Sequence, residues 1–159
     1  MALTIEDLRA QDFARGYNWE VKFPDFSGNF FPAYSFNDEF VNFASGSMDY
    51  GPEVFYFPEK AWRGKNLSIE IYEFDNYPVI EWLQEWYKSI KAEEYSIHLL
   101  GEYSVAKQMI ILRYNLQKAP VSLEILHVIP EGNVSVSYVS DKGSPLALSL
   151  NLIVVGKDS

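Results

Sequence analysis

The sequence predicts an α+β chain that is mostly β, built of antiparallel strands with one packed amphipathic helix. Three observations carry this prediction. Leu67, Ile69 and Ile71 alternate with Ser68, Glu70 and Tyr72, the period of two residues expected of a half-buried strand. Leu146, Leu148, Leu150, Leu152 and Val154 repeat that alternation near the C-terminus. Between them Val79, Trp82, Leu83, Trp86 and Ile90 recur at helical spacing, with Glu81, Gln84, Glu85 and Lys88 on the polar face. Strands, then one helix, then strands is the order of an α+β or mostly β architecture.

The remaining elements are taken in chain order. Thr4 to Phe13 can form a short helix, with Asp7 completing a weak capping box and Gly16 stopping it. Tyr17, Trp19, Val21 and Phe23 alternate with Asn18, Glu20 and Lys22 as a strand that Pro24 closes. The aromatic stretch from Phe23 to Phe43 has irregular spacing, broken by Ser27-Gly28 and Pro32, and predicts a loop with one strand near Glu39 to Phe43. Gly46 and Gly51-Pro52 punctuate the next stretch, Val54 to Phe57 is a short strand, and Gly64-Lys65-Asn66 is a turn. Asp75-Asn76-Tyr77-Pro78 starts the helix with a capping side chain and a first-turn proline. Its two tryptophans should cover the open face of a sheet. Met109 to Tyr114, Val121 to Ile125, Val134 to Val139 and Leu146 to Val154 are strands. Turns are expected at Pro130 to Asn133 and Asp141 to Gly143.

The 159 residues suit a single domain spanning 1–159, and nearly half of them are apolar, enough for a core. A formal net charge of -9 argues against a general nucleic-acid coat, because phosphate binding is driven by Lys and Arg. With no cysteine, disulfides and thiolate metal sites are excluded. Met1 to Gln11 carries Glu6 and Asp7 and lacks the apolar run of a signal peptide. No stretch approaches the roughly 20 apolar residues of a membrane helix, so no membrane partner is expected.

Catalytic chemistry finds little to stand on. His98 and His127 have no Cys, His or carboxylate neighbours at ligand spacing, so no metal site is expected. Glu93-Glu94 and the pair Glu70 and Glu73 are carboxylates without the cleft that glycoside hydrolysis needs. Ser45-Gly46-Ser47 lacks the strand-to-helix setting of a nucleophile elbow. Asn66-Leu67-Ser68 and Asn133-Val134-Ser135 match the glycosylation sequon only by chance. The expectation is no catalytic residue, no cofactor and no enzyme. The aromatic loop from Phe26 to Phe36 is instead a candidate contact surface, because bare rings there would cost solubility.

The order of pieces resembles tail tube proteins of contractile-tailed bacteriophages. Asp12-Phe13-Ala14-Arg15 before the strand Tyr17 to Phe23 is similar to that family's N-terminal segment. The strand Leu67 to Tyr72, the acidic turn Glu73-Phe74-Asp75 and the helix bearing Trp82 and Trp86 resemble its central section. Val121-Ser122-Leu123-Glu124-Ile125, the turn at Pro130 to Asn133 and the terminal strand resemble its C-terminal hairpins. Two departures are Leu126-His127-Val128-Ile129, where the family often has Gly, and the aromatic loop itself.

The resemblance implies a tail-tube-like β-barrel or sandwich that assembles with itself into stacked homohexameric rings. It implies tube, sheath and baseplate proteins as partners, and viral DNA passing through the lumen without specific binding. The protein would belong to the virion tail and be assembled in the host cytoplasm, as a tube subunit or a baseplate-proximal tube initiator. Candidate interface residues are Phe13, Arg15, Phe26, Phe30, Phe31, Tyr34, Met48 and Tyr50. Candidate lumen-facing acids are Glu70, Glu124 and Asp141, and the helix Val79 to Ile90 would face outward to sheath or baseplate. Two other readings are the inner tube of a contractile injection or type VI secretion system and a monomeric β-sandwich that binds carbohydrate.

Overall fold

The computed structural model describes residues 16–28, 30–62, 64, 66–94, 105–138, 140 and 143–158. The expected helix at Thr4 to Phe13, and the residues Phe13, Arg15, His98 and Asp141, lie outside the described residues. Among the described residues eight strands and one helix occur in order: β1 Trp19–Lys22, β2 Ala33–Asp38, β3 Asn42–Tyr50, β4 Glu53–Trp62, β5 Asn66–Tyr72, α1 Pro78–Glu94, β6 Lys107–Tyr114, β7 Pro120–Ser137 and β8 Ala147–Asp158. The α+β, mostly β prediction holds.

Six strands form one sheet in the order β1-β6-β7-β8-β5-β2, every neighbouring pair antiparallel. The sheet curls into a nearly closed barrel. Its two edges meet where Trp19 on β1 and Phe36 on β2 bring their ring centroids to 5.8 Å. Alternation decides which side chains fill the barrel. Ile69 pairs with Leu150 and Ile71 with Leu148, Met109 pairs with Leu126, and all six are buried. The neighbouring positions, Glu70 with Ser149 and Ile110 with Ile125, point to the exterior.

The two ends of the barrel differ. At the end where β5 and β7 finish and β6 and β8 begin, α1 closes the interior with Val79, Trp82 and Trp86. Phe23, Phe26 and Phe31 ring Trp82 at centroid distances of 5.0, 5.8 and 5.5 Å. Each indole N–H has an acceptor: Trp82 donates to Asp25 at 3.1 Å and Trp86 to the Val105 carbonyl at 2.7 Å. Lys107 is ion-paired with Asp25 and lies over both indoles, at 5.7 Å and 5.5 Å. The lysine is the first cause of an Asp25 carboxyl held below its ordinary value, and the Trp82 hydrogen bond adds to it. The helix therefore covers the barrel end, where an open sheet face was expected.

Its start also differs from expectation in one respect. Pro78 takes the first helical position as predicted, but Glu73 does the capping. The Glu73 carboxylate accepts from the Val79 and Ile80 amides at 3.1 and 2.7 Å, where a side chain of the stretch from Asp75 was expected to cap. Tyr77, at φ 56°, turns the chain between them.

At the opposite end the interior is ionic. Arg113 donates to Asp38 at 2.9 Å and lies 3.7 Å from Glu124, which Lys157 approaches to 3.6 Å. Long cations can plug this end while their stems lie along the apolar layer beneath.

One turn and one loop prediction are corrected. Pro130 to Asn133 is not a hairpin turn, because β7 runs unbroken through it for 18 residues. Gly132, at φ +70°, forms a bulge in which residues 132–134 lie opposite Leu150 alone. Proline and glycine there bend a strand that its partner keeps extended. Nor is the aromatic stretch a loop ending in a strand at Glu39 to Phe43. It contains β2, and then enters β3, which continues through Gly46 to a turn at Gly51-Pro52. Gly51 adopts φ +63°, the left-handed backbone that favours glycine at the start of a tight hairpin turn.

Candidate assembly surfaces

β3 and β4 pair with each other and with no strand of the barrel. They form a hairpin arm that leaves the ionic end, after β2 finishes and before β5 begins. Nine residues of strand reach about 30 Å at the usual rise of about 3.3 Å per residue. Register gives the arm two unlike faces. Gly46 opposes Phe57, Met48 opposes Phe55 and Tyr50 opposes Glu53 on one face. Ser45 opposes Pro58, Ser47 opposes Tyr56 and Asp49 opposes Val54 on the other. The first face is the more apolar, although Val54 and Tyr56 are also exposed on the second. Met48, Tyr50 and Phe55 are 60, 77 and 51% exposed. The Phe57 ring fills the place over Gly46 where a side chain would stand, 2.6 Å from an ideal Cβ. A lone two-stranded hairpin is marginal in water, and a bare apolar face on one marks a contact surface.

The other end of the barrel carries a second cluster of accessible rings. Phe30 meets Phe74 edge-on at 5.4 Å, and Tyr34 stacks on Tyr72 at 3.9 Å with 16° between planes. These positions flank the start of β2 and the end of β5, beside α1. Partial burial, then the Glu70 carboxylate that the phenol hydrogen-bonds, raises the Tyr34 pKa above its ordinary value.

The barrel exterior itself has two halves. Ser35, Asn37, Ser68, Glu70, Ser149 and Asn151 face outward from β2, β5 and β8, and Glu131 and Ser135 continue the row on β7. No Lys or Arg is among them. Ser68 donates to Asn151 at 3.0 Å within this polar field. Around the barrel, Ile110, Leu112, Val121, Leu123 and Ile125 face outward from β6 and the first half of β7. Val121 and Leu123 are more than half exposed there.

The residues singled out from sequence separate accordingly. Phe30, Tyr34, Met48 and Tyr50 are exposed, Phe30 and Tyr34 at one end and Met48 and Tyr50 on the arm. Phe26 and Phe31 are corrected. Each is only 7% exposed, turned inward onto Trp82, because the 23–31 segment folds back over the helix. Glu70 lies on the polar exterior. Glu124 does not, since it opposes the buried Ile111 and meets Arg113 and Lys157 inside the ionic end. Sequence reasoning missed most of the arm's apolar face. The register of Phe55 and Phe57 against Met48 and Gly46 was the signal that would have found it.

Glu70 and Glu73 serve Tyr34 and the helix start, respectively. Glu93 and Glu94 end α1, with side chains outside the described residues. His127 sits on β7 beside Gly156. Among the described residues no three His, Asp or Glu side chains gather as a metal site, and no helix is long and apolar enough to cross a membrane.

No protein-family model and no curated protein sequence matches the chain. Solved structures do match its fold over nearly its whole length. A chain of the sheath–tube complex of the PVC extracellular contractile injection system, in the extended state, superposes with a TM-score of 0.64 at 13% identity, covering 99% of this chain and 97% of that one. A chain of the tube-terminating cap of the anti-feeding prophage gives 0.65 at 18% identity, covering 97% and 95%. A chain of the six-fold symmetrised baseplate of the same particle gives 0.57 at 15% identity, covering 93% and 95%. The chain thus has the fold found in tube, cap and baseplate assemblies of contractile injection systems.

Proposed function

We propose that the protein is a structural, non-enzymatic component of the tube of a contractile tail or injection machine, working as a homohexameric ring. The observation that carries this reading is the divided exterior of the barrel. One half is mostly small and polar, with Ile129 and Ile153 at its margin, and free of cations among the described residues. The other is apolar on β6 and the first half of β7, with Val121 and Leu123 exposed and Glu20 and Lys22 on the adjoining β1. A monomer gains nothing from bare Val121 and Leu123, whereas a ring buries that half against the next subunit and leaves the polar half to line a channel. The likeness to tube, cap and baseplate chains supports the same reading, and the six-fold baseplate supports the ring number.

Stacking is the consequence of the two ends. The arm with Met48, Tyr50 and Phe55 leaves one end, and the rings of Phe30, Tyr34, Tyr72 and Phe74 crowd the other. Unlike surfaces at opposite ends make a head-to-tail contact, which repeats along an axis. Sheath, further tube or baseplate proteins are the proposed outer and axial partners.

The channel wall on this reading carries Glu70 and Glu131 among serines and asparagines. A wall with carboxylates and no ammonium groups repels phosphate over about 8 Å at physiological salt, so DNA slides past it in a phage tail. The matched structures belong to contractile injection assemblies, and on that reading the same wall would let other cargo pass. The particle would be assembled in the host cytoplasm.

Absence of native cysteine makes the test direct. Single cysteines are placed at Ser149 and Leu123, and the protein is assembled and then treated with small and bulky maleimides. Ser149→Cys is expected to react with the small reagent and be shielded from the bulky one, as in a channel. Leu123→Cys is expected to be protected from both. Assemblies in which Leu123→Cys stays open to both reagents would overturn the assignment of the faces.

A further inference from the structure

We infer that Glu39 and Gly64 act together as a clamp that sets the direction of the hairpin arm. Because the arm pairs with no barrel strand among the described residues, the described contacts that bear on its direction are those at its base. Contacts of Glu39 hold that base. The Glu39 amide donates to the Asn66 carbonyl at 3.2 Å, extending the β2–β5 ladder one step beyond Asp38 and Leu67. The Glu39 carboxylate then spans the start of the outgoing leg and the start of β5. One oxygen accepts from Asn66 at 3.1 Å and the other from Asn42 at 3.5 Å. Asn42 begins the outgoing strand β3 and Asn66 begins β5, so one side chain ties the arm's first residue to the barrel strand that follows the arm.

Gly64 is the other half of the device. An ideal Cβ at this position would stand 1.8 Å from the Glu39 carbonyl oxygen and 2.6 Å from its carbonyl carbon. Those are backbone atoms that cannot swing aside, so only glycine lets the returning leg come this close. Any side chain at 64 must push the leg off Glu39 and pull the carboxylate away from Asn66. The clamp thus rests on the backbone of one residue and the missing side chain of another. The consequence for assembly rests on the tube reading above: an arm that must find a neighbour at a fixed place gains affinity from being held in direction beforehand.

The subunit alone supplies the test. Spin labels are attached at Asp49→Cys on the arm and Ser149→Cys on the barrel, and the distance distribution is measured by pulsed electron resonance at concentrations below assembly. The parent is expected to give one narrow distribution. Glu39→Ala and Gly64→Ala are each expected to broaden or shift it while near-ultraviolet circular dichroism and the melting temperature of the barrel stay in place. Glu39→Gln, which keeps the length and one acceptor, is expected to restore much of the narrow distribution. An unchanged distribution in both alanine variants overturns the clamp, and so does a loss of barrel structure in step with the broadening. In assembly, the two alanine variants are expected to raise the concentration at which rings form by about tenfold or more. A parent that never forms rings but whose arm is narrowed by Glu39 would sink the tube reading and leave the clamp standing.

Discussion

Arg113 on β6 donates to Asp38 on β2 at 2.9 Å, joining the strand beside one edge of the sheet to the strand at the other edge. The same guanidinium lies 3.4 Å from the Ser122 hydroxyl and 3.7 Å from Glu124. Asp38 and Glu124 have side chains only 9 and 11% exposed, while Arg113 is 39% exposed. The cation reaches solvent; the anions hardly do. Replacing Arg113 with Met is expected to cost about 1–3 kcal/mol in urea unfolding, below the usual penalty of a stranded buried charge because the pair is partly solvated. A variant as stable as the parent would show that the pair does not hold the barrel edges together.

Trp82 and Trp86 are buried at the other end, each with its indole N–H satisfied. Either tryptophan replaced by Ala is expected to lose roughly 3–5 kcal/mol, the cost of removing a large ring from a core that cannot fully collapse. Chemical denaturation of the monomer measures this. A loss below about 1 kcal/mol with assembly abolished would mean that the helix face is a contact and not core.

Acid stability should report Asp25. Its pKa is lowered in the folded protein, chiefly by Lys107, so the ionised carboxylate is favoured by folding. The contribution is present above the unfolded carboxylate range and is lost as pH falls through the lowered folded value. The stability difference between the parent and Asp25→Asn is therefore expected to be largest near neutral pH and to vanish in strong acid. Its size should stay within ~1 kcal/mol, since the carboxylate is more than half exposed. A difference that grows on acidification would contradict the pairing.

The arm offers the cleanest separation of stability from assembly. Met48 and Phe55 oppose each other on its apolar face, away from the barrel core. The double variant Met48→Thr, Phe55→Thr is expected to change unfolding of the barrel by no more than about 0.5 kcal/mol. Ring or tube formation is expected to fall sharply. Equal assembly in both proteins would remove the arm's apolar face from the interface.

These residues also show what a sequence makes legible. Ile69 and Leu150 could be assigned to a buried face because their strands are polar on the other side, so alternation survives. The helix was readable because Trp82 and Trp86 sit against the charged row of Glu81, Glu85 and Lys88. Of the arm only Val54 to Phe57 was legible as strand, because neither of its faces is covered by the described residues and the rule of one buried and one polar face has no purchase there. Phe26 and Phe31 were misplaced for a related reason. Irregular spacing says nothing about direction, and only the fold-back onto Trp82 decides it. At Gly132, turn chemistry was present but its partner strand kept β7 extended. Glu73 reached the helix start from well before it, beyond the short spacing that capping patterns describe. Glu124 needed a register, since a shift of one residue would have put it outside.

The measurement that tests the central claim most directly is negative-stain electron microscopy of the purified protein as its concentration is raised. The predicted result is rings with a central hole, stacking end to end as they accumulate. Particles that stay single and featureless at every concentration would contradict a ring-forming tube protein, and saturable glycan binding by them would favour the carbohydrate reading instead.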